Sequence, residues 1–341
     1  MKLRMPAFPD RLRSEIDKLT AAADVSALAG DAGRLSSRYR HESGCGKRLL
    51  TEEREALAYA AVRMPATFGA VAKALDYALD AVDFVPKTVL DIGAGTGAAG
   101  WAAESLINLD SLVCLEREAV MLRLGQKLMR NSGIPVLENA VWRQADLTGG
   151  ALAEEADLVL ASYVLNELNA AERNKAVEKL WRAAAKMLLV IEPGTPQGYR
   201  NLLQARALLT GAGAFVAAPC PHDGICPLAA GDWCHFSCRV ARSKLHRRLK
   251  NAAMGYEDEK FSYMAFVRQV PAQRTARIIR PPVAGKAGIE LTLCTTGGIV
   301  RKVVKKGSPE YAEIRKKEWG RTDGMSAPAR CALGSPLVDS A

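Results

Sequence analysis

The chain has 341 residues, of which 49% are hydrophobic and 25% charged, and a formal net charge of +10 at pH 7. This composition is ordinary for a soluble globular protein, and the length allows one large domain with one or two small ones. No apolar run reaches the roughly 18 residues that a membrane-spanning helix needs, so we predict no membrane partner. The N-terminus lacks an apolar stretch long enough for a signal peptide. We therefore predict a cytoplasmic monomer with reduced cysteines.

The positive charge is concentrated in the last third of the chain. From Arg239 to the end there are 21 Lys and Arg against 9 Asp and Glu, whereas the preceding residues are slightly acidic overall. Such asymmetry favours a polyanionic partner, with nucleic acid as the leading candidate. The alternative is a solvated basic surface that aids solubility.

The first eighty residues are predicted to be helical. Leu12, Ile16 and Leu19 recur at helical spacing, and a further helix is expected from Thr51 to about Tyr77. The intervening segment 36–47 is polar and turn-rich, so we predict a break in the helices there.

From Thr88 the pattern changes to short apolar runs that alternate with helical stretches. Five runs lie at 88–92, 111–116, 140–146, 157–162 and 187–192, a sixth strand is expected at 214–218 and a last one at 261–268. Apolar strands alternating with helices predict a doubly wound α/β sheet covered on both faces.

Beyond residue 280 the sequence predicts a small β element. Two β-rich runs flank Gly297-Gly298 and are typical of a hairpin, either alone or as part of a small barrel. A short basic helix is expected near 311–319, and the Ala-, Ser-, Pro- and Gly-rich end from about Thr322 is expected to be disordered.

A glycine loop follows the first predicted strand and precedes a helix. Its form, Asp-Ile-Gly-Ala-Gly-Thr-Gly, fits the S-adenosylmethionine loop of class I methyltransferases better than a dinucleotide fingerprint, because glycines let the backbone approach a ligand at a helix N-terminus. Glu116 would bind the ribose hydroxyls, Asp91 would orient the loop near the methionine part, and Asp146 would lie near the adenine amine. The predicted cofactor-binding residues are Asp91, Gly93, Gly95, Gly97, Glu116 and Asp146. A degenerate loop with no cofactor is the alternative.

No catalytic residue can be assigned from the sequence. After the fourth strand, enzymes that methylate base amino groups carry a polar residue followed by Pro-Pro and an aromatic residue, and that tetrad is absent here. Methylation at C5 of a base needs a free thiolate, and Cys220 also fits a metal site. Asn166 and Glu167 are predicted to cap a helix and line the pocket.

Four cysteines, Cys220, Cys226, Cys234 and Cys238, lie in one short segment. Soft thiolates in a reduced compartment select zinc or an iron–sulfur cluster. Zinc sites favour closely spaced pairs, and the loose spacing here fits a cluster wrapped by a loop better. His222 and His235 are alternative ligands, and on a helix Cys234 and Cys238 would share a face. The remaining cysteines are Cys45, Cys114 and Cys331, which are predicted to be incidental, and Cys294, whose role the spacing leaves open.

Two basic groups follow the cysteines and are predicted to bind phosphates, with arginines also able to stack on unpaired bases. The predicted RNA-binding residues are Arg239, Arg242, Lys244, Arg247, Arg248, Arg280, Lys302, Lys305 and Lys306.

Several motifs together resemble one known family. They are Asp91–Gly97, Ser162–Leu168, Ile191–Thr195, Cys220-Pro-His, Cys226-Pro-Leu, Trp233-Cys-His-Phe, Lys260–Tyr263 and the strand with Leu293-Cys294-Thr. In this order they resemble the methyltransferase-like proteins associated with the mitochondrial ribosomal small subunit and their bacterial relatives, over roughly 36–319.

The resemblance implies a class I methyltransferase fold that carries a 4Fe–4S cluster and acts on the small ribosomal subunit, through 16S-type rRNA, during assembly. The cluster ligands it implies are Cys220, Cys226, Cys234 and Cys294, with Cys238 as an alternative fourth ligand. Zinc remains the alternative metal. Cys294 would make the cluster a staple between the cysteine segment and the basic hairpin.

The leading interpretation is therefore a protein that binds S-adenosylmethionine and an iron–sulfur cluster and binds small-subunit rRNA during assembly. It is a candidate rRNA methyltransferase. The first alternative is a non-catalytic RNA-binding assembly factor, and the second a zinc-containing methyltransferase with a small-molecule or protein substrate. The predicted units are N-terminal helices (1–80), a Rossmann-like domain (81–218), a cysteine-rich insertion (219–260), the last sheet strand (261–274), a basic β element and helix (275–320) and a tail (321–341).

Overall fold

The structure is a computed structural model that describes residues 7–41, 50–150 and 152–324. The helices are α1 (Asp10–Thr20), α2 (Val25–His41), α3 (Glu53–Val62), α4 (Met64–Leu79), α5 (Ala98–Glu104), α6 (Ala119–Arg130), α7 (Pro135–Glu138), α8 (Ala170–Ala183), α9 (Pro196–Gly211), α10 (Lys244–Leu249) and α11 (Tyr311–Ile314). The strands are β1 (Thr88–Ile92), β2 (Ser111–Glu116), β3 (Val141–Gln144), β4 (Ala156–Ser162), β5 (Ala184–Pro193), β6 (Phe215–Ala218), β7 (Phe236–Ala241), β8 (Tyr256–Val267), β9 (Arg277–Ile278), β10 (Val283–Ala284), β11 (Gly288–Thr295) and β12 (Gly298–Lys305).

The large sheet has the order β3-β2-β1-β4-β5-β8-β6, with β7 paired to β8. Strands β1 to β5 are parallel neighbours, and β8 runs antiparallel to both β5 and β6. The reversal of strand order beside β1 opens a crevice at the carboxyl ends of β1 and β4, where doubly wound folds bind their ligands. The predicted doubly wound α/β fold is confirmed.

The strands are apolar because helices cover both faces of the sheet. Along β4, Leu158 and Leu160 belong to one buried cluster, and Val159 and Ala161 belong to the other. This alternation places successive side chains on opposite faces. The first cluster also contains most of the buried side chains of α4, so the N-terminal helices form part of the main core.

The N-terminal region differs from the sequence prediction in one respect. Helix α2 continues to His41, so residues 36–41 are helical rather than a polar break, and 42–49 lie outside the described residues. Two buried acids in this region are paired with arginines from other turns or helices: Asp31 with Arg34 and Arg54, and Glu55 with Arg38 at 2.7 Å. Arg38 is thus one polar residue of the predicted break that is used in an ion pair of a helix.

The cysteine-rich segment does not form a separate layer. Strand β7 pairs with β8 from Phe236↔Phe261 to Ala241↔Tyr256 and so extends the large sheet. Cys238 lies within β7 and Cys234 precedes it, so the two cysteines do not share a helix face.

The C-terminal unit is a four-stranded antiparallel sheet, β10-β11-β12 with β9 on β11, and the predicted hairpin is β11–β12. After this sheet and α11, the chain returns to pack against α4. The Tyr77 hydroxyl donates to the carbonyl of Trp319 at 2.6 Å, and Arg321 forms ion pairs with Asp76 and Asp80. The predicted disordered end therefore starts too early, because Arg321 and the buried Asp323 pack into the fold, whereas residues 325–341 lie outside the described part of the chain. Within the described ranges, none of the helices has the length and apolarity to cross a bilayer.

Candidate functional site

A cavity of about 450 Å³ opens at the carboxyl ends of β1, β2 and β4. The sheet edge contributes the glycine loop after β1, the end of β2, the turn after β3 and the 3₁₀ turn 165–167 after β4. Among the predicted site residues, the cavity is lined by Gly93, Gly95, Glu116, Asp146, Asn166 and Glu167. The strand order therefore brings together residues that are far apart in sequence.

The glycine loop is shaped by steric limits. Gly93 has φ +65°, and a Cβ there would lie 2.5 Å from Cγ2 of Val164. Gly97, which caps α5, has φ +86°, and a Cβ would lie 2.6 Å from Cε of Met129. Side chains other than glycine are strained at positive φ and would collide at both positions. The loop thus holds its backbone close to the cavity.

Glu116 links the glycine loop to the chain after β2. Its carboxylate accepts hydrogen bonds from the N–H of Gly95 and from the N–H of Glu118, both at 2.7 Å. Burial raises the pKa of Glu116, and these two bonds oppose the shift. Each carboxylate oxygen has a second lone pair, so Glu116 can also accept from two hydroxyls of a ligand in the cavity.

The turn after β3 contributes a further part of the cavity lining. Asp146 accepts from the backbone N–H of Thr148 at 2.8 Å and from its hydroxyl at 2.7 Å, which fixes the carboxylate at the rim. Ala145, Leu147 and Leu152 line the cavity beside it. An apolar slot with one fixed carboxylate can accept a flat ring that carries an amino group.

Asp91 is placed differently from the other predicted residues. It is fully buried in β1 and does not line the cavity. Burial raises the pKa of Asp91 to about 7, and the backbone of Gly100 partly offsets that shift. Neither carboxylate oxygen meets the distance and angle for a hydrogen bond among the described residues, and the backbone of Gly100 in α5 lies nearby.

We expect Asp91→Asn to raise thermal stability at pH 8 more than at pH 5. The pKa of about 7 lies above the ordinary value of 3.8, so across this interval the folded protein holds a proton that the unfolded chain has lost. Stability therefore falls as the pH rises from about 4 to 7. The complete loss of stability, from below pH 4 to above pH 7, corresponds to about 4 kcal/mol, of which roughly 2.5 to 3 kcal/mol falls between pH 5 and pH 8. Thermal unfolding of the ligand-free variant at both pH values measures this.

Asp157→Asn is the matched control for that experiment. Burial at Asp157 is outweighed by hydrogen bonds from the N–H of Lys87 and from Lys186, so its pKa is lowered. Its replacement should reduce stability at pH 8. An equal effect of Asp91→Asn at the two pH values would contradict the assignment.

The 3₁₀ turn after β4 carries Asn166 and Glu167 into the cavity. The N–H of Asn166 donates to the buried Glu192 at 3.3 Å, and Glu192 also accepts from Asn201 at 3.0 Å. Burial, followed by the charge of Glu116, raises the pKa of Glu167 to about 8. Both residues line the cavity as predicted, and neither caps a helix, since Asn169 is the N-cap of α8.

Sequence reasoning missed a half-buried polar cluster at the cavity. Tyr163 has φ +62° and donates its hydroxyl to Glu259 of β8 at 3.0 Å, and Arg63 of α3–α4 pairs with the same carboxylate at 3.2 Å. Tyr163, Arg63 and also Tyr59 line the cavity. The motif Ser162–Leu168, which resembles the family, pointed to Tyr163. No sequence pattern pointed to Arg63 or Glu259, because only a tertiary contact brings them together.

Four cysteines line a second, small cavity between the cysteine segment, α9 and the C-terminal sheet. They are Cys220, Cys226, Cys234 and Cys294. Cys238 does not line it, and its sulfur packs against α4, where a Cβ on Gly69 would lie 3.2 Å away. All four lining cysteines are free thiols. Among the described residues, however, no group of three or more His, Cys, Asp or Glu side chains is close enough to hold a single metal ion.

Two buried arginines place positive charge near Cys220 and Cys294. Arg206 is 3% and Arg277 2% exposed, and neither forms an ion pair with a carboxylate among the described residues. Burial raises the pKa of Cys220 to about 11 and that of Cys294 to about 12, and both guanidinium groups oppose these shifts. Because a buried charge needs a counter-charge, the donor set fits an anionic, thiolate-bound group. Arg277 also donates to the carbonyl of Gly320 at 2.9 Å, so it is structural rather than a phosphate ligand.

The predicted RNA-binding residues fall into two groups. Arg239 is paired with Asp258 at 2.8 Å, Arg242 with Glu257 at 3.0 Å, and Arg280 with Asp232 at 2.6 Å. The other group is exposed and consists of Lys244, Arg247 and Arg248 on α10 and Lys305 and Lys306 at the end of β12. Lys302 in β12 is half-buried and has a further interaction. The exposed group is the stronger candidate for phosphate contacts.

The strand order and the cavity at the carboxyl ends of the strands define a Rossmann-like α/β protein of the class I methyltransferase type. Two solved methyltransferases overlap it weakly: the plantazolicin methyltransferase BpumL (13% identity, 76% of this chain, 99% of that chain, TM-score 0.41) and the magnesium protoporphyrin IX methyltransferase of Synechocystis PCC 6803 (14%, 61%, 85%, TM-score 0.39). These TM-scores are too low to support any conclusion beyond the one drawn from the strand order.

The chain belongs to the family described as mitochondrial small ribosomal subunit Rsm22, which it matches over residues 53–323. It is 31% identical to the mitochondrial ribosome assembly protein METTL17 of Homo sapiens, covering 77% of this chain and 61% of that protein. It is 23% identical to the mitochondrial Rsm22-cox11 tandem protein 2 of Schizosaccharomyces pombe, covering 84% of this chain and 45% of that protein. The chain thus spans about half the length of these relatives. The family resemblance predicted from the motifs is confirmed.

One prediction is corrected by these comparisons. We predicted a cytoplasmic protein because the N-terminus carries no apolar signal. The matched family and both relatives are described as mitochondrial, which contradicts a plain cytoplasmic assignment. The search for an apolar N-terminal stretch bears only on secretory signal peptides. Organelle import signals have a different, amphipathic composition, so that search does not address them.

Proposed function

We propose that this protein binds S-adenosylmethionine and a thiolate-bound 4Fe–4S cluster and acts on the rRNA of the small ribosomal subunit during assembly. The observation that supports it best is the pairing of two sites in one chain of the Rsm22 family: a class I cofactor cavity, and a second cavity lined by four free thiols, two of which lie near the charge of buried arginines. The proposed ligands of the cluster are Cys220, Cys226, Cys234 and Cys294.

The cofactor cavity supports S-adenosylmethionine through its distribution of polar groups. Glu116 offers acceptors for the ribose hydroxyls, Asp146 offers one for the adenine amine, and the glycine loop leaves room for the methionine part. The cofactor, when bound, supplies an electrophilic methyl group. The protein would supply position and exclusion of water.

The cysteine site supports a cluster more than zinc. A tetrahedral zinc site needs its sulfur atoms about 3.8 Å apart, as follows from Zn–S bonds of about 2.3 Å. The described thiols share a cavity without forming such a tight group. In a cubane each thiolate binds a different iron, which allows wider separation. Zinc bound after a small closure of the site is the alternative, and metal and sulfide analysis separates the two.

The division of labour follows the predicted units. The helices (1–80) and the Rossmann-like domain (81–218) would hold the cofactor, the insertion (219–260) would hold the cluster, and α10 with the β element (275–320) would contact RNA. We propose a monomer, and the name of the human relative, a ribosome assembly protein, supports an assembly role.

Methyl transfer is the step that the site supports least. The cavity is lined by no cysteine among the described residues, so a covalent thiolate mechanism on a pyrimidine has no nucleophile there. Burial and Glu259 raise the pKa of Tyr163 well above its ordinary value, so it is no base at neutral pH. These observations favour the second candidate, an assembly factor that binds RNA and cofactor without catalysis.

A map of methylated nucleotides in small-subunit rRNA tests the proposal. It compares the intact strain, a deletion strain and a strain with Gly95→Asp, with protein levels checked. Gly95 has φ +57°, so a side chain there is strained although the surrounding space is ordinary. The new carboxylate would also lie beside Glu116, repel it and enter the cofactor cavity.

The outcomes separate the two candidates. A methyl group missing in both altered strains makes the protein an enzyme and names its target. An unchanged map with a small-subunit assembly defect in the deletion strain identifies a non-catalytic factor. An unchanged map and normal assembly would contradict both.

We expect RNA binding to weaken steeply with salt and to depend on α10. Replacing Lys244, Arg247 and Arg248 by Gln removes up to three phosphate contacts, which should reduce the slope of log affinity against log salt by about 2 to 3. Filter binding of a 16S-type rRNA transcript at several salt concentrations measures it.

A charge-matched variant controls for net charge. Lys127, Arg130 and Lys175 are exposed and lie outside the basic third of the chain. Their replacement by Gln should leave the slope nearly unchanged. Equal effects of the two triple variants would show that overall charge, rather than α10, drives binding.

A further inference from the structure

Two of the four cysteines have hydrogen-bond donors beside their sulfur atoms. The Tyr199 hydroxyl lies 3.0 Å from Sγ of Cys226 and donates to it. Nε2 of His222 lies 3.8 Å from Sγ of Cys294. Hydrogen bonds to cluster sulfurs are among the features by which proteins set the reduction potential of iron–sulfur groups.

The proton on His222 can be located from its other neighbour. Nη2 of Arg206 lies 3.2 Å from Nδ1 of His222 and donates to its carbonyl at 2.9 Å. A guanidinium group donates hydrogen bonds and never accepts them, so Nδ1 is the acceptor in the contact with Arg206. The backbone of Gly224 also lies beside the ring, and we assign the tautomer from the Arg206 contact. The ring proton of the neutral imidazole is then on Nε2, which faces Cys294.

Arg206 is well placed to hold this arrangement. Its side chain extends from α9 and is buried, and the bonds to the ring and to the carbonyl of His222 come from the same nitrogen. This guanidinium has no carboxylate partner in the part of the chain that the structure describes, and it places positive charge behind the ring. The chain of contacts therefore runs from Arg206 through His222 to Cys294.

We propose that His222, oriented by Arg206, is a positioning residue that donates a hydrogen bond to Cys294 and raises the reduction potential of the bound cluster. This inference rests on the proposed function, since it requires the cluster. Reduction adds one electron and no atoms, and in the test the electron comes from dithionite. The added negative charge is partly on sulfur, where the N–H of His222 stabilises it.

The test is an anaerobic redox titration of three variants. His222→Leu removes the donor, His222→Gln keeps an amide N–H in the same region, and Tyr199→Phe removes the donor at Cys226 alone. Iron and sulfide per protein are measured for each. We expect His222→Leu to lower the midpoint potential, His222→Gln to restore most of the shift, and Tyr199→Phe to lower it independently.

A second measurement needs no variant. Pulsed EPR of the reduced wild-type protein labelled with ¹⁵N-histidine should show a histidine nitrogen coupled to the cluster and an exchangeable proton near it. This readout remains available if His222→Leu fails to fold or to load iron.

The outcomes distinguish this inference from the proposed function. Zinc without sulfide in the wild-type protein would overturn both. A wild-type cluster with no histidine coupling, or a loaded His222→Leu protein with unchanged potential, would overturn this inference alone. That result would also follow if Nδ1 carried the proton and donated to the nearby backbone of Gly224, because Nε2 would then have none to give.

Discussion

Cys294→Ser should reduce the iron and sulfide content of the anaerobically purified protein to background. The sulfur of Cys294 comes from β11 and lines the same cavity as Cys220, Cys226 and Cys234. A serine hydroxyl is not ionised at neutral pH and is a harder donor than a thiolate, so it cannot replace the soft ligand that iron in a cluster requires. Metal and acid-labile sulfide analysis, with the visible absorption spectrum, measures the loss.

Cys238→Ser is the matched control, because both cysteines are buried and in strands. The sulfur of Cys238 packs against Gly69 of α4, away from the cavity. Its replacement should leave iron content unchanged and reduce stability by about 1 kcal/mol, since a hydroxyl enters an apolar environment. Loss of iron in Cys238→Ser, with full iron in Cys294→Ser, would reverse the assignment of the fourth ligand.

Cys294→Ser should also loosen the C-terminal sheet. Apart from the proposed cluster, that sheet is held to the rest of the fold by Arg277, whose side chain donates to Pro219 and Gly320, and by the Trp319–Arg321 return to α4. A group bound by Cys294 and by the cysteine segment stabilises the folded state by its binding free energy. Faster proteolysis within 280–310 in Cys294→Ser than in Cys238→Ser would show this coupling.

The parts of the fold that could be predicted are those with local periodic signals. The apolar runs predicted the parallel strands. The glycine loop, Glu116 and Asp146 predicted part of the cavity lining, because each follows or ends a strand at the same edge of the sheet. The pairing of β7 with β8 was missed, since its strand carries mixed charges that are satisfied across the pair, as between Arg239 and Asp258.

What could not be predicted depends on contacts between distant segments. Spacing left Cys294 ambiguous, and the family resemblance rather than any pattern suggested it as a ligand. Likewise Arg63, Tyr163 and Glu259 meet at the cavity only through the packing of α4 on the sheet. The basic surface was overestimated for the same reason, because Arg242 and Arg280 are neutralised by acids that lie elsewhere in the sequence.

Glu116→Ala should weaken S-adenosylmethionine binding by about 100-fold or more. A hydrogen bond to a charged group contributes about 1.5–3 kcal/mol, and Glu116 is proposed to accept two from the ribose. Each 1.4 kcal/mol corresponds to a tenfold change in affinity. The variant also removes the acceptor that holds the N–H of Gly95 at 2.7 Å, so the glycine loop loses its fixed position. Isothermal titration calorimetry with the ligand measures the change.

Two further variants separate recognition of the ribose from general effects on the loop. Glu116→Gln keeps one acceptor oxygen and should give an intermediate loss, of about tenfold, because a neutral amide makes weaker hydrogen bonds than a carboxylate. Glu178→Gln alters an exposed carboxylate on α8 that pairs with Arg182, and binding should be unchanged. If Glu116→Ala binds as tightly as the wild type while its melting temperature falls, Glu116 supports the loop and the ribose lies elsewhere. Weak binding in Glu116→Ala together with a near-normal melting temperature would place the ribose at the end of β2, as proposed.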